Sequence, residues 1–420
     1  MHCFHSVPRW LVSLRSAPAS RRGAAGAVVV TLATLAGCAG LPSATSTAAA
    51  VPKRQLMLVA NDEKQSWTDA GTVVLGPHGR DTVQVLDIGT DPLAPRTIGS
   101  LPLDNTIAGP PTNLAINADE TLALVANSLN VIEEAGVRRQ VPDNRLFVID
   151  LAATPPRLID TLSVGRQPSG LSINRAGTLA LVAHRADNSI GVLRIEGRKV
   201  TLIDTVAMGE SVAHVRFTPD GKRALVVKFP GHKVALLDID GEKVTPAKAD
   251  MAAGLWPYNV DVTPDGRLAL TADNGNAGAS DGQADTVSVI DLEAVPPRVV
   301  DKVVVGDGPE GLAISPTGKL AVAVLLRGSN AAKNAYFHQR NGSVVALKID
   351  GKKVTRSNEV VVRGLPEGAV FSADGRYLYV GNFIDRDITI LRVEGDTLVD
   401  TGRSVGLQGH PAAMRGRVTH

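Results

Sequence analysis

The chain has 420 residues, with 44 lysines and arginines against 42 aspartates and glutamates. Four of the arginines and none of the acidic residues fall within the first fifty positions, so the rest holds 40 basic and 42 acidic residues, a net charge of −2. A nearly neutral body without a basic cluster argues against a nucleic-acid-binding protein, which needs a positively charged face.

The N-terminal segment has the pattern of an export signal. Arg21 and Arg22 precede an apolar run over residues 23–37, which is shorter than the roughly 20 apolar residues that span a bilayer. The run ends in Leu35-Ala-Gly-Cys38, which resembles the lipobox of bacterial lipoproteins and so implies cleavage before Cys38 and lipid attachment there. An ordinary secretory signal is the alternative, and both the Sec and the twin-arginine routes stay open.

These features predict a signal peptide over residues 1–37, a flexible tether over residues 38–53 and a folded body over residues 54–420. The predicted location is extracytoplasmic, in the periplasm or at the cell surface, with the membrane as a partner through Cys38. Cys3 and Cys38 are the only cysteines in the chain, so the folded body has no internal disulfide and depends on packing.

The folded body is an internal repeat of four short strands. One unit opens at Pro257, turns at Thr263-Pro-Asp-Gly266, and starts its later strands at Leu268, Thr286 and Arg298. Such Gly-containing turns close hairpins, so the unit is an antiparallel meander. The first strand recurs seven times, opening at Pro111, Pro168, Val212, Pro257, Pro309, Pro366 and Pro411.

The order of strands predicts how the repeats close into a ring. The folded body begins at Gln55 with the second strand of a unit, and the missing first strand is the last one of the chain, near Pro411. One sheet built from both termini would close the ring and leave only short edges. We therefore predict an all-β, seven-bladed propeller, with an open solenoid as the alternative.

The repeat resembles a known family. Its unit, Val-Gly-x-x-Pro-x-Gly, then Pro-Asp-Gly, then Ala-Asn, then Val-x-Val-Ile-Asp, is similar to the YVTN propeller repeat over residues 54–417. The resemblance implies the propeller fold. It implies either a cell-envelope binding role or a lactonase of the 6-phosphogluconolactonase type, because the family includes envelope binding proteins and lies near such lactonases; fold does not choose between them.

Functional residues are expected where the repeat varies. The loops between second and third strands are long at residues 61–81, 127–144, 273–285 and 327–342, and long loops on one face of a rigid scaffold often bind ligands. They could also be tolerated insertions, because surface loops accept length at little cost. Aromatic residues in or beside these loops could stack on a sugar-like ligand.

Three ionisable residues at the starts of first strands are the candidate catalytic group: His214, Glu310 and Glu367. Converging on one channel mouth, they could supply acid–base chemistry or hold a divalent metal; solvated polar residues at a rim are the alternative. No other cofactor is indicated. The candidate ligand-binding residues around this mouth are Asn113, Tyr258, Asn259, His184, Lys228, Asp273, Asn382 and His410.

Two function classes remain open from the sequence. The favoured one is a monomeric, lipid-anchored binding or scaffold module that presents its loop-rich channel face to an envelope protein, a glycan or a small molecule. The alternative is a lactonase-like or other small-molecule hydrolase or lyase at the channel mouth. The sequence carries no Gly-x-Ser-x-Gly or His-Glu-x-x-His motif, so it does not indicate serine or zinc-dependent hydrolysis.

Overall fold

A computed structural model describes residues 54–417 as seven four-stranded antiparallel sheets, the blades of a β-propeller, which confirms the predicted fold class. Residues 1–37, the tether and Cys38 lie outside the described part. From the innermost to the outermost strand the blades are: blade 1, Pro411–Gly416, Leu56–Asn61, Thr82–Asp87 and Arg96–Leu101; blade 2, Leu114–Ile116, Leu122–Ala126, Arg145–Asp150 and Arg157–Ser163; blade 3, Pro168–Ile173, Leu179–His184, Ser189–Glu196 and Lys199–Ala207; blade 4, Val215–Phe217, Arg223–Lys228, Lys233–Asp240 and Lys243–Pro246; blade 5, Pro257–Val262, Leu268–Asp273, Asp285–Asp291 and Arg298–Gly306; blade 6, Pro309–Ile314, Leu320–Leu325, Ser343–Asp350 and Lys353–Val361; blade 7, Pro366–Phe371, Tyr377–Asn382, Asp387–Glu394 and Thr397–Gly406.

Five further strands decorate the blades. Two of the long loops fold into hairpins, Gln65–Trp67 with Val73–Leu75 in blade 1 and Leu129–Glu134 with Val137–Pro142 in blade 2. Met251–Ala252 pairs with the third strand of blade 4. In residues 54–417 we find no helix with the length and hydropathy to cross a membrane.

The ring closes through blade 1. Its innermost strand comes from the C-terminal end of the chain and pairs with the first strand of the folded body, placing Met57 opposite Gly416 and Ala60 opposite Ala413. This pairing confirms the predicted closure and excludes the open solenoid. Because the two ends of the fold share one sheet, the ring needs no disulfide.

The second strands are buried along nearly their whole length because each blade lies between two others. In blade 2 every residue of Leu122–Ala126 is buried. Leu124 packs with Leu171 of blade 3, whereas Val125 packs with Leu58 of blade 1. Successive side chains of a strand point to opposite faces, so both faces of the strand are apolar and the blades adhere through their hydrophobic side chains.

The glycine of the Pro-x-Gly repeat is required by close packing of the inner strands. A β-carbon at Gly311 would lie 2.3 Å from the Glu367 carbonyl oxygen, and one at Gly368 would lie 2.7 Å from the Met414 amide nitrogen. Neighbouring backbones approach so closely here that no side chain fits between them. The glycine of the repeat motif is therefore explained by the close packing of the innermost strands in the channel wall.

We expect the substitution Met414→Ala to destabilise the fold through the closing strand. Met414 is fully buried in a cluster with Met57 and Tyr379, so its truncation leaves a cavity and should lower the free energy of unfolding by about 2–5 kcal/mol. Chemical denaturation of the purified protein measures this. Leu255→Ala, at a 62% exposed position, is the control and should stay within about 0.5 kcal/mol; equal losses in both variants would contradict the packing account.

Candidate functional site

Three inner-strand residues, Tyr258, Glu310 and Glu367, occupy β-bulges. The strand register shifts between Pro257 and Asn259, and it shifts again at the matching positions of blades 6 and 7. A bulge leaves the extra residue unpaired in the ladder and redirects its side chain. The second residue of the repeat is thus turned out of the blade, and the structure brings these three side chains of neighbouring blades close together.

Glu310 and Glu367 form a buried pair of carboxyl groups, with 7% and 1% of their surfaces exposed. Burial raises the pKa of Glu310 to about 8, an effect that the Arg185 charge partly offsets. Burial and the Glu310 charge raise the pKa of Glu367 well above its usual range. One Glu367 carboxyl oxygen has no hydrogen-bond partner. At neutral pH the pair therefore retains at least one proton.

Arg185, which the sequence did not single out, completes this group. Its guanidinium donates a 3.0 Å hydrogen bond to the Tyr258 hydroxyl and lies over the rings of Phe229 and Tyr258, at 4.9 and 5.4 Å from their centres. Burial raises the pKa of Tyr258 to about 12 despite the Arg185 charge. We call Arg185, Tyr258, Glu310 and Glu367 the acidic channel group.

His214 belongs to a different group from the two glutamates. Its Nδ1 accepts a hydrogen bond from the Val260 amide at 3.3 Å, and its Nε2 lies 3.3 Å from an Arg415 nitrogen. Burial, followed by Arg415, lowers the pKa of His214 well below its usual range. The expected grouping of His214 with the carboxyl groups is corrected: His214 follows the bulge position by one residue, and its imidazole is directed toward arginine.

Asn113 and Asn259 are both buried at the same repeat position as His214. The Asn113 amide donates to the Ala126 carbonyl at 2.7 Å within blade 2. The Asn259 amide lies beside His214 and favours its charged form, although burial outweighs this effect. The Asn113 side-chain oxygen is buried without a hydrogen-bond partner.

The residues at the ends of second strands bond within their own blades instead of forming a ring around the opening. His184 contacts the Ser189 hydroxyl at 3.2 Å, Lys228 contacts Asp250 at 2.8 Å, and Asn382 donates to Asp387 at 2.8 Å. Asp273 accepts from the Thr286 and Ser288 hydroxyls at 2.9 and 2.7 Å. The contacts of His184, Asp273 and Asn382 join second to third strands, whereas Lys228 reaches Asp250 beyond the fourth strand of blade 4. All four side chains are buried, which differs from the ligand-facing placement that we expected.

An apolar cluster lies next to the acidic channel group, at the end of the channel that is surrounded by the loops between second and third strands. Ala412, the residue of blade 1 that matches Glu367 in the repeat, packs with loop residues of several blades. The backbone of this cluster is held in place by Asp62, whose carboxylate accepts from the Ile107 amide at 2.8 Å. We call this cluster the apolar cap: Trp67, Ile107, Leu326, Leu365, Phe383 and Ala412.

A pocket of about 300 Å³ shares Trp67 and Phe383 with this cap and is called the loop-face pocket. It is built by two of the long loops identified from the sequence, residues 61–81 and 327–342, together with the short loop of blade 7. Its aromatic wall is a stack: Trp67 meets Phe383 edge-on at 5.7 Å, and Phe383 stacks on His410 at 4.8 Å. Its polar residues are Ser66, Thr68, Asp69, Ser329, Asn330, Lys333, His338, Arg340 and His410.

His410 is the one candidate ligand-binding residue that lines the loop-face pocket. Its Nδ1 contacts the Phe383 carbonyl oxygen at 2.6 Å, and its Nε2 accepts from Arg386 at 2.9 Å. Both ring nitrogens are therefore engaged, and the ring contributes its stacking face. Sequence reasoning identified the loops but not Lys333, His338 and Arg340 within them, because no repeat partner marks these positions.

Within residues 54–417, no cluster of three or more His, Cys, Asp or Glu side chains is arranged as a metal site. The acidic channel group supplies two carboxyl groups beside a guanidinium, and a cation there would meet the repulsion of Arg185. The divalent metal considered from the sequence remains an untested prediction.

We expect Glu310→Gln to change how stability depends on pH. Between the ordinary pKa of 4.5 and the raised value of about 8, the native state holds a proton that the unfolded chain has lost, so the free energy of unfolding falls as pH rises. Glutamine should make this fall shallower by up to about 1.4 kcal/mol per pH unit.

Denaturant titrations at pH 5, 6, 7 and 8 measure that slope. The comparison must be made between variants, because burial also raises the pKa of Asp81, Asp273 and Asp285 to about 6. Glu242→Gln, on the outer surface, is the control and should keep the wild-type slope. If the Glu310 variant also keeps it, the carboxyl pair is not buried with a retained proton.

No known family pattern matches the chain, and no curated protein matches it in sequence. Solved structures do resemble it. A candidate 6-phosphogluconolactonase from Bacteroides uniformis shares 13% identity at a TM-score of 0.67, covering 86% of this chain and 99% of its own. Its counterpart from Bacteroides fragilis shares 16% at 0.66, covering 88% and 99%. The periplasmic gluconolactonase PpgL of Pseudomonas aeruginosa shares 16% at 0.62, covering 88% and 100%. At these identities the similarity establishes the seven-bladed propeller fold.

Proposed function

We propose that this protein is an exported, lipid-anchored binding module whose loop-face pocket takes a small polyhydroxylated ligand, such as one sugar residue of an envelope glycan. The observation that carries the proposal is the aromatic stack of Trp67, Phe383 and His410 in a pocket of about 300 Å³. Ligand pockets typically combine apolar walls with a few polar groups that fix orientation.

The chemistry of the loop-face pocket favours a neutral, hydroxyl-rich ligand. Its charges are largely balanced, because Lys333 pairs with Asp69 at 2.6 Å and Arg340 pairs with Asp385 at 2.6 Å. A sugar ring presents an apolar face that suits the half-buried Trp67 ring and a hydroxylated edge that suits paired charges and hydroxyls. A strongly charged ligand would have to break these ion pairs.

The export and anchoring part of the proposal rests on Leu35-Ala-Gly-Cys38 in the sequence. We expect Cys38→Ala to release the protein from the membrane fraction of intact cells, because the thiol that would carry the lipid is lost. Fractionation with detection of the protein in each fraction measures this. Cys3→Ala is the matched control and should stay in the membrane; equal distribution of both variants would contradict anchoring through Cys38.

We expect Trp67→Ala to weaken binding of the preferred envelope oligosaccharide at least about ten-fold, because an aromatic anchor in a small pocket carries much of the binding energy. A glycan array identifies the ligand and calorimetry measures its Kd. Tyr336→Ala is the matched control: its ring is 81% exposed and lies outside the pocket. Equal affinity in both variants would refute the pocket assignment.

A second candidate, lactone hydrolysis, is favoured by the acidic channel group together with the lactonases of the same fold. An ionised carboxylate of the Glu310–Glu367 pair would activate water for attack on a lactone carbonyl, its protonated partner would supply an acid, and Arg185 would stabilise the oxyanion.

Turnover of glucono-δ-lactone by the purified protein tests the second candidate. If it holds, the lactone disappears faster than in buffer alone, and Glu367→Gln removes the excess rate because it removes the protonated partner that supplies the acid. Glu242→Gln should keep full activity. A wild-type rate equal to that of buffer eliminates lactone hydrolysis and leaves the binding proposal unaffected.

A further inference from the structure

A buried group of three charged residues lies where the long loop of blade 1 leaves its sheet and re-enters it. Lys64 follows the strand Leu56–Asn61, and Asp81 directly precedes the strand Thr82–Asp87. The Lys64 ammonium contacts the carboxyl groups of both Asp62 and Asp81. All three residues are at most 2% exposed. We call Asp62, Lys64 and Asp81 the blade 1 triad.

Complete burial distinguishes the blade 1 triad from the other lysine–carboxylate pairs in residues 54–417. In each of those pairs at least one side chain is 23% exposed or more, as in the pair of Lys228 with Asp250. Water therefore does not solvate the charges of the triad, and removing ions from water carries a large free-energy cost. A reaction that replaces an ammonium and a carboxyl group by a neutral amide is favoured in such a site.

The Asp81 carboxyl group is held in an orientation that suits attack by an amine. Its Oδ1 accepts from the Glu63 amide at 2.8 Å, and its Oδ2 accepts from the Asn105 amide at 3.0 Å. These two donors would stabilise the negative charge that develops on the oxygens when a bond forms to Cγ. The Lys64 Nζ contacts Oδ2 and also donates to the Asn105 carbonyl oxygen. The reacting groups are thus held side by side, which accelerates an intramolecular reaction.

Asp62 is placed to move a proton. Its Oδ1 accepts from the Lys64 backbone amide at 2.7 Å and lies 3.4 Å from the Lys64 Nζ, while its Oδ2 accepts from the Ile107 amide at 2.8 Å. Burial raises the pKa of Asp81 to about 6, an effect that the Lys64 charge partly offsets. Asp81 therefore carries a proton in more molecules than an ordinary aspartate does, and its hydroxyl can leave as water.

We propose that Lys64 and Asp81 form an intramolecular amide bond, an isopeptide bond, with Asp62 as the proton acceptor. Asp62 takes one proton from the ammonium, and the nitrogen lone pair bonds to Cγ of protonated Asp81. The Cγ–OH bond then breaks, and the hydroxyl takes a second nitrogen proton and leaves as water. The third proton stays on the amide nitrogen. Atoms and charges balance without an oxidant or another reactant.

The bond would close the base of the loop formed by residues 61–81. Lys64 and Asp81 flank the hairpin that carries Trp67, and closing this segment covalently lowers the conformational freedom of the unfolded chain. The folded body contains no cysteine that could supply a disulfide instead. The inference goes beyond the proposed function, because the bond forms without any ligand and does not depend on what the loop-face pocket binds.

Peptide mapping of the purified, denatured protein by mass spectrometry tests the proposal. Trypsin cleaves after lysine and arginine, so an unlinked chain gives three separate peptides over this region, residues 55–64, 65–80 and 81–96. The isopeptide bond blocks cleavage at Lys64 and joins the peptide 55–80 to the peptide 81–96, with a mass one water molecule below their sum. Fragmentation should locate the link at Lys64 and Asp81. Recovery of only the three separate peptides from the wild type would overturn the proposal.

Two variants and an internal control test the chemistry. Lys64→Arg keeps the charge but not the amine and should abolish the link. Asp62→Asn keeps both bonding groups and should lower the linked fraction at least ten-fold, because an amide does not accept the proton; circular dichroism verifies folding. Lys228 and Asp250 are in contact at 2.8 Å but partly exposed, and their peptides should stay unlinked. A linked fraction in Asp62→Asn equal to that of the wild type would overturn the role of Asp62. A link between Lys228 and Asp250 would overturn the role of burial. The wild-type map decides whether the bond exists even if a variant does not fold.

Discussion

The pairing of the C-terminal strand Pro411–Gly416 with Leu56–Asn61 is the interaction on which the rest of the structure depends. It converts a row of repeats into a ring, so that seven innermost strands surround one channel. Without it blade 1 would have three strands and an open edge, and its neighbours would lose part of their apolar contact. The loop-face pocket and the acidic channel group both use this closed geometry, because each draws residues from blades far apart in sequence.

Closure also explains why the channel has two electrostatic zones. The bulged position of the repeat carries Tyr258, Glu310 and Glu367, and the position three residues further along carries Arg216, Asp261 and Arg415. Residues at the same repeat position therefore lie at the same height in the channel, whichever blade holds them. The two glutamates share the bulged position of the repeat, and Arg216 and Arg415 share the position three residues further along. Closure of the ring brings the members of each set together in the channel.

The sequence predicted the blades well because their signal is repeated. The starts of second strands at Leu122, Leu179 and Leu320 are found where expected, since turn residues and apolar runs recur seven times. The sites were harder to predict. Glu310 occupies a bulge, whereas His214 occupies the next position of the repeat, so a one-residue shift in register separates them. The Asn382 amide, at the end of a second strand, donates to Asp387 and Thr389 on the third strand. Such contacts depend on distances that a repeat alignment does not contain.

The loop-face pocket was also only partly predictable from the sequence. Loop length marked residues 61–81 and 327–342, but the meeting of Trp67 with Phe383 depends on two loops from blades 1 and 7 that become neighbours only when the ring closes. Aromatic residues near these loops suggested stacking, and the structure specifies which of them share a wall. Trp67 and Phe383 belong both to this pocket and to the apolar cap.

The most direct test of the account is a crystal structure of the protein soaked with the oligosaccharide that it binds best. The account predicts a sugar ring packed against Trp67, with its hydroxyl groups within hydrogen-bond distance of the polar residues around His338 and Lys333. Electron density for the sugar in the channel beside Glu310 and Glu367, with an empty loop-face pocket, would contradict it and transfer the function to the acidic channel group.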